Sequence, residues 1–416
     1  MKYARNLLAC LAGIALFAQT ALGAGPGPIR IGLTCPLTGG SSPMGESLLN
    51  AVKLAVEEIN WKGGVLGRQI ELVVRDDEAN PDKGRAIAEE LIGKVKVAAT
   101  IGSCNTGVVL KSMELYQKAK IPLLVPVATG AAITATFASQ PEHYIFRTAA
   151  NDEIQARLVA REAVERRGYR KVAVFHDTTA YGQQGRDFLV AELIKVGVKP
   201  VHVEGFPLGV KDLGAALGKA KAAGAQAILS YTVGPELAVI ANGRARLNWN
   251  VPMIGSWPLS WTNFLHPAGA HAEGARMPQT FIEAPINSRR TEFILAYIGR
   301  SKVSRMSSAI SAAQGYDSML ILAAALRQAG STDGAKLRAA LENLEERIPG
   351  VVTTYEQPFT AQDHEAITDN MVVMGEVRKG AIVFAHKEDE KAAIVGRKRQ
   401  SDVMPTAVSI SSEERN

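Results

Sequence analysis

Along this chain, short apolar runs alternate with longer stretches in which apolar residues recur every three or four positions. Ile29, Ile31 and Leu33 open the first run. A Gly/Pro/Ser-rich loop over 36–45 follows. Leu48, Leu49, Val52, Ala55, Val56 and Ile59 then fall at helical spacing and predict an amphipathic helix over 46–61, stopped by Gly63 and Gly64. The alternation continues with strands over 70–74, 97–101 and 123–125 and helices over 82–94 and 108–118. Each strand is a near-continuous apolar run, the pattern of a parallel sheet covered on both faces.

The pattern restarts with a strand over 146–148. Helices over 152–166, 185–195, 213–222 and 235–244 alternate with strands over 172–175, 201–203, 227–229 and 253–254. Two series of similar length, 29–147 and 150–255, predict an α/β protein of two doubly wound parallel-sheet lobes. Beyond residue 275 the spacing predicts a strand over 280–282, helices over 307–329 and 335–344, and a closing hairpin of 371–376 and 381–384. Residues 388–416 are polar and without period, and read as a mobile tail. In open α/β sheets, ligands sit outside the carboxyl ends of the strands, where helix N-termini attract anions. The loops to inspect are therefore 34–45, 102–107, 126–131, 176–184, 230–234 and 255–264.

Composition narrows the classes. With 416 residues, 47% hydrophobic and 21% charged, the chain has enough apolar material for two cores and resembles neither a disordered nor a polytopic membrane protein. Its net charge of +6 is not gathered into a basic stripe with interleaved aromatics, so no nucleic-acid partner is expected. The first 23 residues carry Lys2 and Arg5, an apolar run over 7–17, and small residues at Ala21 and Gly23 before Ala24. That is the layout of a cleaved export signal. The run is shorter than the roughly 20 apolar residues of a membrane-spanning helix, and no other segment reads as one. Cys10 falls within the signal, which leaves Cys35 and Cys104. No CxxC, HExxH or clustered His/Cys set appears, so neither metal nor cofactor is expected. GxGxxG, GxSxG and the phosphate-binding P-loop are also missing, which argues against an α/β enzyme.

Several motifs fall in order. Ile31-Gly32-Leu33-Thr34-Cys35-Pro36-Leu37-Thr38-Gly39 and Asn60-Trp61-Lys62-Gly63-Gly64-Val65-Leu66-Gly67 come first. Ile101-Gly102, Val125-Pro126, Phe146-Arg147, Tyr181-Gly182-Gln183-Gln184-Gly185 and Gly315-Tyr316-Asp317 follow. Over 28–385 this ordered set resembles the leucine/isoleucine/valine-binding family of periplasmic solute-binding proteins. The resemblance implies the type I periplasmic-binding fold, with two lobes joined by three crossovers that act as a hinge. Lobe 1 is expected over 28–147 plus 277–350, and lobe 2 over 148–276 plus 351–385. It further implies a periplasmic, non-enzymatic monomer. That monomer would hand a small carboxylate, by family default a branched-chain or other apolar amino acid, to the membrane permease of an ABC importer. Aromatic or hydroxy carboxylates are an alternative ligand class, and a membrane signalling protein is an alternative partner.

The resemblance also implies site residues. Asn105 and Thr106 precede a helix, and Thr106 serves either as its N-cap or as a hydroxyl for a ligand carboxylate. Val127, Ala128 and Thr129 match a segment that meets the ligand's carboxylate and amino group. Tyr181, and after it Tyr231, would close on the ligand from lobe 2. Amino-acid binders of the family often place an acid after the strand at 253–254, but here Trp257 stands near that position. Either another acid serves, Asp317 or Glu236, or the ligand lacks an ammonium group. Trp249 and Trp261 read as packing. Asp76, Asp77 and Glu78 lack calcium-loop spacing and read as loop solvation. Cys35 and Cys104 end neighbouring strands and are either a disulfide or two buried thiols. The bridge found elsewhere in the family cannot form, because 76–81 holds no cysteine.

Overall fold

The computed structural model describes residues 27–390. Strands β1 (Ile29–Cys35), β2 (Ile70–Asp76), β3 (Ala99–Ile101), β4 (Leu123–Val125) and β5 (Ile145–Arg147) form an all-parallel sheet in the order β2-β1-β3-β4-β5. β6 (Val172–Asp177), β7 (His202–Phe206), β8 (Ala227–Tyr231), β9 (Met253–Gly255) and β10 (Arg276–Gln279) build a second sheet. A two-stranded ribbon, β11 (Ile348–Pro349) and β12 (Thr354–Tyr355), intervenes. The antiparallel β13 (Val373–Arg378) and β14 (Ala381–Phe384) then complete the second sheet in the order β14-β13-β10-β9-β8-β6-β7.

Four helices cover the first series: α1 (Ser42–Trp61), α2 (Pro81–Glu90), α3 (Thr106–Ala119) and α4 (Ala132–Ala135). The second series has α5 (Asp152–Arg161), α6 (Ala180–Lys195), α7 (Gly214–Ala222), α8 (Gly234–Arg246) and α9 (Thr262–Ala268). Then α10 (Ser288–Ser301), α11 (Ala309–Ala329) and α12 (Gly334–Glu342) return to the first lobe, where α11 packs along α1. Leu48 and Val52 of α1 meet the buried face of α11 there. Contrary to the sequence reading, α11 is long and apolar enough to cross a membrane by length and composition, but 89% of that stretch is buried as the core helix of lobe 1.

The chain passes between the sheets three times: after Arg147, after Gln279, and through the turn Asp369–Met371 into β13. These crossings differ from the expected boundaries at 277 and 351. β10 belongs to the second sheet, so the second crossing follows it. Residues 351–372 stay with lobe 1. The Arg147 N–H donates to the His364 carbonyl and the Ala366 N–H to the Arg147 carbonyl, both at 2.9 Å, and Phe359 and Ile367 join the lobe 1 core.

Other differences have local causes. The strand expected at 280–282 lies at Arg276–Gln279, because Phe281 spends its apolar surface on the lobe 1 core instead of on a sheet, with Ile282 buried next to it. Helix α10 was not anticipated; only Arg290, Phe293 and Tyr297 on it are buried, too sparse an apolar stripe to stand out. α6 starts five residues earlier than expected, where Thr179 caps it by accepting the Gly182 N–H. Of the expected tail, residues 388–390 are described, and Asp389 accepts the Met374 N–H at 3.1 Å. The expected export signal and the rest of the tail lie outside the described residues.

Candidate ligand-binding site

The carboxyl ends of the two sheets face each other across a cleft whose rims touch. From lobe 2, Asn263 Nδ2 donates to the Gly40 carbonyl of lobe 1 at 2.7 Å. Gly130 of lobe 1 lies against Gln184 of α6: a methyl group at Gly130 would sit 3.0 Å from Gln184 Oε1 and 2.4 Å from Thr106 Cγ2. Gly130 thus puts no side chain between Thr106 and Gln184 where the two lobes meet. The Gly39–Gly40 loop is held from below, where Asp76 accepts the Leu37 N–H (2.9 Å) and the Thr38 hydroxyl (3.0 Å). Those bonds and other hydrogen bonds keep the Asp76 carboxyl below its usual range despite partial burial. Asp76 thus orders a loop at the rim of the cleft.

Between the rims lies a narrow cavity. Six of the residues singled out from sequence line it together: Asn105, Thr106, Val127, Thr129, Tyr181 and Trp257. Ala128 and Tyr231 do not. Ala128 turns into the lobe 1 core beside Val125 and Ile133. Tyr231 is fully buried behind Tyr181, with ring centroids 5.5 Å apart, and its hydroxyl donates to the Asp152 carbonyl at 3.3 Å. Gly185 makes room for that ring, since a methyl group there would lie 1.9 Å from Tyr231 Cδ1.

The lobe 1 wall is polar. Asn105, not Thr106, is the N-cap of α3, and no side chain caps the helix. The first-turn N–H groups thus face the cavity with the positive end of the helix dipole behind them. Asn105 Nδ2 donates to Ser41 Oγ at 3.2 Å, while its Oδ1 is buried without a partner. Thr106 is the first helical residue; its hydroxyl oxygen accepts the Gly130 N–H at 3.2 Å, which leaves its proton free to be donated.

The lobe 2 wall is aromatic. The Tyr181 hydroxyl donates to Ser256 Oγ at 2.6 Å, and burial holds that phenol well above its ordinary range. Trp257 and Trp261 meet edge to face with centroids 6.0 Å apart. The sequence reading treated Trp261 as packing; it lines the cavity as well, and its Nε1–H is buried without a partner. Trp249 packs in the lobe 2 core as expected. Behind Trp257 lies a second narrow void, bounded by Ala149, Ala150, Thr280 and Val372 from all three crossings.

Neither acid offered as a substitute for Trp257 reaches the cavity. Asp317 accepts the Val351 N–H (2.7 Å), the Val352 N–H (2.9 Å) and the Tyr355 hydroxyl (3.1 Å), and so fastens the ribbon to α11. Glu236 accepts the Gly209 N–H at 2.7 Å. Cys35 and Cys104 are free buried thiols. Burial and the neighbouring Cys35 push the Cys104 thiol well up, which keeps it protonated. Among the described residues no group of His, Cys, Asp and Glu could hold a metal.

A model of the family described as periplasmic binding protein matches residues 28–381. The Leu/Ile/Val-binding protein homolog 2 of Brucella abortus is 31% identical over 263 residues, 63% of this chain and 70% of that protein. The chain belongs to the leucine/isoleucine/valine-binding family of periplasmic binding proteins. Among solved structures, a type 1 periplasmic binding protein from Bordetella pertussis is 30% identical with a TM-score of 0.77, covering 86% of this chain and 99% of that one. An ABC-transporter solute-binding protein from Rhodopseudomonas palustris, solved with 3,4-dihydroxybenzoic acid, has a TM-score of 0.74 at 23% identity over 85% of this chain and 95% of its own. Its identity supports the fold alone.

Proposed function

We propose that the protein captures a small carboxylate ligand in the cleft and delivers it, as a monomer outside the cytoplasm, to the membrane permease of an ABC importer. The observation that carries this reading is the uncapped N-terminus of α3, set in a cavity with an unpartnered indole N–H opposite it. A carboxylate at that point would receive backbone N–H groups, the Thr106 hydroxyl and Trp261 Nε1–H together, each bond strengthened by the ligand's charge. Apolar contacts from Met44, Val127 and Val233 would take the rest of a compact ligand. A family default of branched-chain amino acids fits that lining. The Tyr181, Trp257 and Trp261 rings favour aromatic carboxylates as a second reading, since ring faces stack on rings. A thermal-shift series over both classes tests the proposal, because ligand at 100 times its Kd stabilises the folded state by about 2.7 kcal/mol. No shift with any small carboxylate overturns it.

A further inference from the structure

The end of lobe 1 opposite the cleft gathers cations that the sequence scatters. The amino end of β1, the loop from α1 to β2 and the turn into β3 meet there. The Ile29 N–H donates to the Gln69 carbonyl at 2.8 Å, and the Ala98 N–H donates to the Arg30 carbonyl at 2.9 Å. An open groove of about 500 Å³ runs between these segments, and Arg30, Arg68, Lys94 and Lys96 line it. No acid among the described residues lines it. Lys62, on the same loop as Arg68, is exposed as well.

The acids around this pole are already committed. Glu71 pairs with Arg30 at 3.3 Å, Glu90 pairs with Arg75 at 2.6 Å, and Asp333 caps α12 by accepting the Lys336 N–H at 3.0 Å. Arg68 spends two donors on neutral groups, the Gly27 carbonyl at 2.6 Å and the Pro28 carbonyl at 3.1 Å, so its charge is not cancelled. The loop that carries Arg68 also shows apolar surface to water. Val65 and Arg68 exchange backbone hydrogen bonds at 2.9 Å and close it into a tight turn. Trp61 at its start is 87% exposed and Leu66 at its tip is 39% exposed, whereas Trp249, Trp257 and Trp261 are all buried.

We propose that this pole docks on an anionic phospholipid surface, with Arg30, Arg68, Lys94 and Lys96 on headgroup phosphates and Trp61 at the boundary with the acyl chains. Basic side chains are drawn to the negative potential of such a surface, and an indole is at home at its interface. A soluble polyanion would satisfy the cations but offer nothing to Trp61 and Leu66, so the bilayer is the occupant that uses the whole patch. The attachment is reversible, because a few cations and one ring do not anchor a protein. The cleft lies at the opposite, carboxyl ends of the strands, so a docked molecule keeps its ligand site uncovered. The proposal does not depend on which ligand the cleft takes.

Vesicle co-sedimentation with the chain purified after export tests this. The vesicles are phosphatidylcholine alone, and phosphatidylcholine with phosphatidylglycerol in equal parts; inorganic polyphosphate serves as the lipid-free polyanion. The expected result is binding to the phosphatidylglycerol vesicles at low ionic strength that fades as salt rises. Tryptophan emission should shift to the blue on binding, and Trp61→Phe should abolish that shift, because the remaining indoles are buried. Lys94→Gln combined with Lys96→Gln should weaken partitioning by about 10- to 30-fold, since each cation near such a surface is worth about 5-fold. Trp61→Ala should weaken it by about 5- to 20-fold. All three side chains are exposed, so the variants should keep the wild-type circular dichroism. Equal binding to both kinds of vesicle, binding to neither, or full binding by the double lysine variant overturns the proposal. Binding of polyphosphate without binding of vesicles overturns it in favour of a soluble polyanion.

Discussion

The two walls of the cleft are made of different materials and perform different tasks. Lobe 1 offers helix-end amides, hydroxyls and a glycine, all on loops that leave β3 and β4. Lobe 2 offers Tyr181, Trp257, Pro258 and Trp261. Polar groups with fixed directions orient a ligand, whereas rings exclude water and set the size of the space. The lobe 2 wall is also not purely a site. Trp257, Trp261 and Val233 belong to the same packed apolar cluster as Leu33, Val127 and Phe281 of lobe 1, so the cluster runs across the cleft. A residue that shapes the ligand space from lobe 2 therefore also contributes to stability, while one from the lobe 1 rim contributes mostly to binding.

Substitution should separate these roles. Trp261→Ala is expected to have the largest effect, a loss of about 3–5 kcal/mol of stability in urea unfolding, together with weaker binding. An unchanged midpoint would break the comparison. Within lobe 1, Asp317 is a buried acid remote from the cavity, and burial lifts it from 3.8 to about 6. An acid raised in this way is protonated more readily folded than unfolded, so its contribution is full below about 4 and is lost as pH rises through about 6. Asp317→Asn should flatten the fall in stability across that window and leave ligand affinity as it was; a steeper profile, or lost affinity, would contradict the placement. Thr106→Ala should cost about 1.5–3 kcal/mol of affinity by calorimetry while the unfolding midpoint moves little, since it removes a hydroxyl aimed at a charged group. Asn263→Ala removes the bond to the Gly40 carbonyl across the rims. It is expected to weaken binding by about 0.5–1.5 kcal/mol, mainly through faster ligand release in stopped-flow measurements.

Much of the scaffold was legible in the sequence because its signals are local. β6 and β8 are buried along their lengths and β1 at every residue but Arg30, and period and composition alone mark such strands. The six loop residues that meet in the cavity were legible for a topological reason, since a doubly wound sheet brings the carboxyl ends of its strands together. What was hidden depends on distance in sequence. Local pattern carries no sign that Arg147, at the end of β5, is paired with Glu365, 218 residues away. Asp317 and Glu236 read as candidates for the same reason: their backbone partners, 34 and 27 residues distant, leave no trace in local pattern. Tyr231 was drawn to the cavity by its place at the end of β8 and sits instead one ring behind it.

The three passages between the sheets have a consequence for the gene. Lobe 1 needs β1–β5 from the first third of the chain and α10–α12 from the last, and lobe 2 needs β6–β10 from the middle and β13–β14 from the end. No single cut yields a reading frame for either lobe, so neither can be exchanged as a cassette or expressed by itself. A truncation at residue 372 would strip two antiparallel strands from lobe 2 and bare the edge of β10. A ribosome must finish almost the entire message before either half can close.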